Sequence, residues 1–285
     1  MRAPSADDTS SDAADITVLA LDHPGAQDPE YRRRRDAIAV LARRALAAGG
    51  EPPALEYLPE EHATWTQVLE RLEQPHQEHA SRRYLECRSR LGIETERIPA
   101  LTTLSEQLAR HQGFRLMAIP GLIPTRPFLA SLAQRRMPCT QYIRHASRPD
   151  YTPEPDVVHE VVGHVPLFAD PEFAALSEHL GRAAAVASDG QVALLDRLYW
   201  FTLEFGLVEE RGELKAYGAG LLSSFGELPH AFTAEVEKRP FVAEEAVTQP
   251  YDHTQMQPTL FVASSFVALQ RELERFLAGP MYRSA

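Results

Sequence analysis

Residues Gln191 to Leu207, QVALLDRLYWFTLEFGL, form a segment long enough for a helix and apolar on almost every side of it. Such a helix belongs inside a protein, so the rest of the chain has to enclose it. One residue in it is ill suited to burial: Glu204, set among Trp200, Phe201, Leu203, Phe205 and Leu207. A carboxylate there is costly unless it is paired, protonated or coordinated. Pairing with a base such as Arg197 or Arg144 is one reading, and metal ligation is the other.

The enclosing material reads as helices. Asp28-Pro29-Glu30 supplies an N-cap, a proline at the first helical position and an acidic first turn, and the helix it opens runs through Ala48 to a stop at Gly49-Gly50. Helical patterning resumes at Glu60 to Leu72, His79 to Leu91 and Leu104 to Gln112, and a last amphipathic helix covers Ser265 to Leu277. Between them, Pro120-Gly121 and Pro124 suggest a binding loop before a short helix, followed by an extended segment at Thr140 to Ile143. Residues 213 to 226 are Gly-rich and irregular, with short β segments near Leu214 to Ala216 and Leu260 to Val262. A short apolar stretch, Ile16 to Leu21, precedes the first helix. The expected class is mainly α with minor β. Residues 1–20 read as a disordered tail and 21–285 as a single domain.

Composition removes several function classes. The net charge is -11, from 29 basic and 40 acidic side chains, which disfavours a nucleic-acid partner. The basic run Arg32-Arg33-Arg34-Arg35 reads as a solvated helix face beside Glu30 and Asp36. Two cysteines, Cys87 and Cys139, make no disulfide framework and fit a reducing compartment. The opening MRAPSADDTSSDAAD lacks the apolar core of a signal peptide, and no run of about 18 apolar residues spans a membrane. A cytoplasmic protein is expected.

A second short stretch raises the metal reading for Glu204. His159-Glu160-Val161-Val162-Gly163-His164 is one residue longer than the His-Glu-x-x-His of zinc peptidases. At about 100° per residue, histidines five apart on an α-helix diverge by about 140°, so a regular helix cannot give both to one ion. Gly163 suggests a helix C-cap, with Pro166 preventing simple continuation and His164 swinging back beyond the helix end. Two imidazoles and a carboxylate suit Fe(II) with open positions, and zinc would accept the same ligands. On residues alone, a zinc peptidase with Glu160 as base and a non-catalytic metal-binding protein both stay open.

The longer context resembles a known family. TQYIRHASRPDYTPEPDVVHEVVGHVPLFADPEFA (Thr140 to Ala174), LYWFTLEFGL (Leu198 to Leu207) and KAYGAGLLSSFGEL (Lys215 to Leu228) are similar to the pterin-dependent aromatic amino acid hydroxylases, and similarity runs from Asp22 to the last helix. The resemblance implies a basket-shaped, mostly helical catalytic domain with Fe(II) on His159, His164 and Glu204. It also implies a tetrahydropterin cofactor, O2 as co-substrate and an aromatic amino acid as substrate. It assigns the pterin to Ile119, Gly121, Leu122, Phe128 (stacking on its ring), Glu160 and Tyr199. The sequence departs from the animal members at Asp196, where they usually carry alanine beside the pterin, and Thr125 stands where serine is often found.

For the substrate, the resemblance implies Arg144 in bidentate contact with the carboxylate and Asp156 orienting it, with Thr152, Ser223 and Gly220 at the polar end. Pro155, Trp200, Phe205 and the face of His159 would enclose the ring, with His253 at a position that separates the substrate classes. Trp200 is like the phenylalanine and tyrosine hydroxylases and unlike the tryptophan hydroxylases, whereas His253 matches neither the aliphatic residue of the first nor the aspartate of the second. Phenylalanine 4-hydroxylation to tyrosine is the leading expectation. Tyrosine 3-hydroxylation to DOPA and phenylalanine meta-hydroxylation are alternatives. Pterin-recycling enzymes would be functional partners, and a monomer is expected, with a dimer as the alternative, because no residues are left for a regulatory domain or a C-terminal tetramerisation arm.

Overall fold

The computed structural model describes residues 19, 23–150, 152 and 154–285. The Ile16 to Leu21 stretch and the tail at 1–20 fall outside these except for Leu19. The first helix, Pro29–Ala47, starts as its sequence dictates: the Asp28 carboxylate accepts from the backbone N–H groups of Glu30 and Tyr31, satisfying two of the donors a helix start leaves open. Further helices cover Pro59–His79, Arg82–Leu91 and Leu101–Gln112. The second continues through Pro75, past its expected end at Leu72, and the third begins three residues later than expected, after an N-cap at Ser81. The closing helix Phe266–Ala278 is capped by Ser265 and buries Leu269, Leu273 and Phe276 on one face, the i, i+4, i+7 stripe of an amphipathic helix.

Strand structure is minor. β1 (Arg115–Ala118) pairs in parallel with β2 (Arg136–Cys139). The extended segment expected at Thr140 to Ile143 is therefore displaced: the ladder ends at Cys139, and in the run that follows the Gln141 and Ile143 carbonyls accept from the Tyr57 and Tyr31 hydroxyls and the Tyr142 carbonyl from the Val157 N–H. β3 (Leu207–Glu210), β4 (Glu213–Ala216), β5 (Glu237–Pro240) and β6 (Thr259–Ala263) form a second sheet in the order β4-β3-β6-β5. The β segments expected near Leu214 and Leu260 are β4 and β6.

The central segment is largely buried from Leu198 onward, with Gln191 to Leu194 half-buried or exposed, and it is not one helix. An α-helix over Asp189–Tyr199 passes into a π-helical turn at Trp200–Glu204, and the chain then enters β3. The turn is closed by the Phe205 N–H donating to the Trp200 carbonyl at 2.9 Å, the i to i+5 bond that defines a π turn.

The basic run is corrected too. Arg35 is 2% exposed, its guanidinium 2.6 Å from Glu154 and 3.7 Å from the centre of the Tyr142 ring. Arg34 makes a two-pronged pair with Glu61. The missed signal is spacing: Arg35 stands three, four and seven residues before Ile38, Ala39 and Ala42, on the buried face of its own helix.

Candidate metal centre

His159 to His164 is a second π-helical turn, not a helix end. The Val165 N–H donates to the Glu160 carbonyl, five residues back. With bonds running i to i+5, a residue five on occupies the place that a residue four on takes in an α-helix, so both imidazoles face one point. The expected C-cap at Gly163 is thereby corrected: the chain continues into a short α-helix, Val165–Phe168, with Pro166 in its first turn. Gly163 is required for a different reason. A Cβ there would lie 2.7 Å from the Ala219 carbonyl oxygen and 3.0 Å from the Ala219 Cβ, so the absence of a side chain lets the ligand turn pack on the helix Ala219–Leu222. Tyr84 serves the turn from the other side, its hydroxyl donating to the Val162 carbonyl at 2.9 Å.

The second π turn delivers Glu204 to the same point. Its Oε1 is 2.8 Å from His164 Nε2 and its Oε2 is 3.5 Å from His159 Nε2, and the two Nε2 atoms are 3.1 Å apart. These three residues are the group of potential metal ligands found among the described residues. Metal–donor bonds of about 2.1 Å at right angles place neighbouring donors about 3 Å apart, and the observed separations straddle that value. Pairing of Glu204 with Arg197 or Arg144 is not seen. Burial alone would raise the Glu204 pKa, but the two imidazoles more than reverse this and hold the carboxyl far below its usual range. Burial likewise opposes a charged His159, and Glu204 overcomes it, raising that pKa.

The hydrogen bonds around His159 fix which nitrogen faces the cluster. Ser223 donates its single hydroxyl proton to the Ala219 carbonyl at 2.8 Å, so at 3.1 Å from His159 Nδ1 it can only accept. His159 therefore carries a proton on Nδ1 and turns Nε2, the nitrogen a metal would take, toward Glu204 and His164. Ser223, expected at the polar end of a substrate pocket, here supports the ligand. Behind it, Arg88 can only donate to His76 Nδ1 (3.0 Å), so His76 Nε2 donates to the Leu222 carbonyl at 2.7 Å. Burial and the Arg88 charge lower the His76 pKa to about 4.

Other expected residues surround this centre. Glu160 is buried and accepts at 3.1 Å from both the N–H and the hydroxyl of Thr140, and burial raises its pKa. Tyr199 meets Phe128 edge-on at 5.2 Å, and its ring lies 6.1 Å from His164. Ile119 is buried, its N–H on the Cys139 carbonyl. Gly121 is only partly covered, and Leu122 is 69% exposed.

The edge of Arg144 expected to take a carboxylate in bidentate fashion is already occupied. Its Nε and Nη2 donate to the two oxygens of Asp156 at 2.9 and 2.8 Å, and Nη1 donates to the Pro149 carbonyl. Asp156 also accepts from the backbone N–H of His159 at 3.1 Å, linking the arginine to the ligand turn. Thr152 donates to the Glu154 carbonyl, and Thr140 Oγ1 lies 3.0 Å from the Pro155 carbonyl oxygen as well, so its one hydroxyl proton is divided between that oxygen and Glu160.

Trp200 and Phe205 pack with ring centres 4.6 Å apart, and a Cβ at Gly220 would meet Phe205 Cζ at 2.6 Å. His253 is exposed. The residues of its loop that do reach Trp200 are Tyr251, stacked on the indole at 4.2 Å, and Gln257, which accepts from the indole N–H at 3.0 Å. Sequence reasoning misses Thr140, Tyr251, Gln257 and His76, whose partners are all distant in the chain. Of these, Thr140 opens the run that carries the family resemblance, and Tyr251 lies in QPYDH, which stands out for its histidine.

The sequence matches the family described as biopterin-dependent aromatic amino acid hydroxylase over residues 10–283. It is 47% identical to the tyrosine 3-monooxygenase of Mus musculus over 90% of this chain and 52% of that protein. It is 43% identical to the phenylalanine-4-hydroxylase of Homo sapiens over 91% of this chain and 58% of that protein. The chain thus spans little more than half the length of these relatives. In three dimensions it is similar to phenylalanine hydroxylase from Chromobacterium violaceum solved with oxidised Fe(III), with a TM-score of 0.77 at 33% identity over 86% of this chain and 92% of that one. A structure of the same bacterial protein with iron(III) and 7,8-dihydrobiopterin gives 0.76 at 33% identity, covering 86% and 91%. Sequence, fold and the three convergent ligands agree: the chain belongs to the biopterin-dependent aromatic amino acid hydroxylase family.

Proposed function

We propose that the chain is an Fe(II)- and tetrahydropterin-dependent monooxygenase of aromatic amino acids, with phenylalanine 4-hydroxylation as its leading activity. The observation that carries this reading is the convergence of His159, His164 and Glu204 from two π turns, with the ligand tautomer of His159 set by Ser223. Two imidazoles and one carboxylate suit an iron with open positions. Iron and pterin, when bound, would supply the activation of O2.

The chain's own residues hold, orient and dry the site. Asp156 fixes Arg144 by two hydrogen bonds, leaving N–H groups on Nη1 and Nη2 for a substrate carboxylate end-on. Trp200, Phe205 and Pro155 supply an apolar wall for the ring and exclude water from it. Phe128, Tyr199, Ile119, Gly121, Leu122 and Glu160 are assigned to the pterin, Phe128 by ring stacking. A peptidase reading finds little support, because both hydrogen bonds to the Glu160 carboxylate come from Thr140 and none from the metal side. The domain is taken as 21–285 and the protein as a cytoplasmic monomer, with both cysteines free and buried. No helix among the described residues is long and apolar enough to cross a membrane.

Tyrosine 3-hydroxylation is the second reading, favoured by the tyrosine 3-monooxygenases among the relatives. One experiment separates them: the purified protein with Fe(II), a tetrahydropterin and O2 is offered phenylalanine, tyrosine and tryptophan together, and products are identified by mass spectrometry. Tyrosine from labelled phenylalanine is expected, DOPA alone would move the assignment to the second reading, and no hydroxylated product would overturn both. Glu204→Ala is expected to lose stoichiometric iron, and retention of a full equivalent would refute the ligand assignment.

A further inference from the structure

Asp196 sits one turn before Trp200 on the helix Asp189–Tyr199 and lines, with Thr125, Pro250 and Tyr251 among others, a cavity of about 700 Å³. Its carboxylate receives hydrogen bonds from two segments far apart in sequence. Thr125 Oγ1 donates to Oδ1 at 2.8 Å, and the Tyr251 hydroxyl donates to Oδ2 at 2.5 Å. The second bond lies in the short range of charge-assisted O–H to carboxylate contacts, which are about twice as strong as neutral ones.

What hangs on that bond is the placement of an indole. The Tyr251 ring lies on the face of Trp200 with centres 4.2 Å apart and planes 14° from parallel. Gln257, from the same loop, takes the indole N–H. It also ties the loop to itself, its amide N–H groups donating to the Asp252 and Gln255 carbonyls at 2.9 and 2.8 Å. Its backbone N–H donates to Glu227 at 2.8 Å. The loop 249–258 thus grips Trp200 at two points. The loop is anchored at Gln257 by these bonds and at Gln249 by its backbone N–H on the Glu245 and Ala246 carbonyls and by Arg239 on its side chain, whereas the Tyr251 hydroxyl between them rests on Asp196.

We propose that Asp196 is a positioning residue: it latches the loop 249–258 over Trp200 and, through Thr125, joins that loop to the segment that follows Pro124. Released, the Tyr251 end of the loop would lift from the indole and widen the aromatic wall. The effect on substrate choice rests on the proposed activity, whereas the latch itself does not.

The chain's two tryptophans make the latch measurable without turnover. Trp65 is fully buried, with its N–H on the Glu94 carbonyl, so acrylamide quenching of the fluorescence reports on Trp200. Asp196→Ala places a good helix former at a partly exposed helical position and leaves the fold intact. It is expected to raise the quenching constant about twofold or more and to speed amide exchange across 249–258 about tenfold, the worth of one hydrogen bond to a charged group.

Tyr251→Phe keeps the ring, loses the same bond and is expected to match it, with the double variant no worse than either single one. Asp196→Asn, which retains one acceptor oxygen, is expected to fall between. Unchanged quenching and exchange in Asp196→Ala, or additive effects with Tyr251→Phe, would overturn the latch. In active protein the same variants are expected to raise KM for the amino acid about tenfold with kcat little changed, and a KM unchanged while exchange rises would refute the widened wall alone. Absence of activity in the unaltered chain would count against the proposed function and leave the quenching and exchange results standing.

Discussion

A methyl group at position 163 would sit 2.7 Å from a backbone oxygen on the neighbouring helix, and backbone cannot swing aside as a side-chain tip can. Gly163→Ala is therefore expected to cost about 1–3 kcal/mol, the usual range for overpacking, measured by denaturant unfolding of the metal-free protein, and to loosen metal binding because the displaced turn carries His164. Ser223 acts on the same centre through a proton. Its removal frees His159 to take either tautomer, and Ser223→Ala is expected to weaken metal affinity about 10–100-fold, read by competition with a chelator, while the unfolding midpoint changes little. At this scale the sequence is informative about ligand identity: a carboxylate inside an apolar segment needs a cationic partner, and two histidines close together in the chain can share one with it. It is silent on tautomer, because the hydroxyl that sets it lies 64 residues away from His159.

Both ligand-bearing elements are π turns, and here periodicity misleads. Hydrophobic spacing reports where a helix is buried, not whether one turn carries an additional residue, so Gln191 to Leu207 reads as one helix and Gly163 as its neighbour's end. Tertiary contacts decide the matter. The Val162 carbonyl is taken by Tyr84, and the Leu198 carbonyl accepts from the Thr202 hydroxyl, so the widened turns leave these oxygens satisfied. The helix start at Asp28 is legible to the residue because capping is local, whereas the start capped by Ser81 reads three residues early, since His79 and Ala80 continue the helical pattern without a break.

The helix Pro59–His79 contributes a pH dependence. His76 is neutral in the fold with a pKa of about 4, against 6.5 ordinarily, so below pH 6.5 the unfolded chain takes up a proton that the folded chain refuses. Stability from this group is full above 6.5 and is lost as the pH falls towards about 4, by about 3 kcal/mol at about 1.4 kcal/mol per pH unit. His76→Gln is expected to flatten the curve of unfolding free energy against pH across that window, and an unchanged slope would show that His76 is not buried neutral.

Over the whole molecule, the mainly helical class with minor β follows from punctuation by proline and glycine, whereas the pairing into two small sheets and the docking of the first helix do not. A run of charges in a sequence suggests a face turned to water, yet Arg35 reaches across 119 residues to Glu154 and joins the N-terminal helix to the loop that leads into the ligand turn. Breaking a buried pair strands the surviving charge. Arg35→Met is expected to destabilise by about 3–5 kcal/mol, and a double-mutant cycle with Glu154→Gln is expected to show coupling of at least about 1 kcal/mol.

The additional residue in each ligand turn also makes chain length a fixed quantity at those places. Deleting Gly163 would give this chain the His-Glu-x-x-His spacing of a peptidase and an unbroken α-helix through the histidines. It would also turn everything after them by about 100°, carrying the wholly buried run Val165 to Phe168 out of the core. The two spacings are therefore not exchangeable by a single deletion: a chain built around this core can lose or gain a residue in its surface loops, but its count is set at 159–164 by the phase of the helix that follows and at 200–204 by the register of β3.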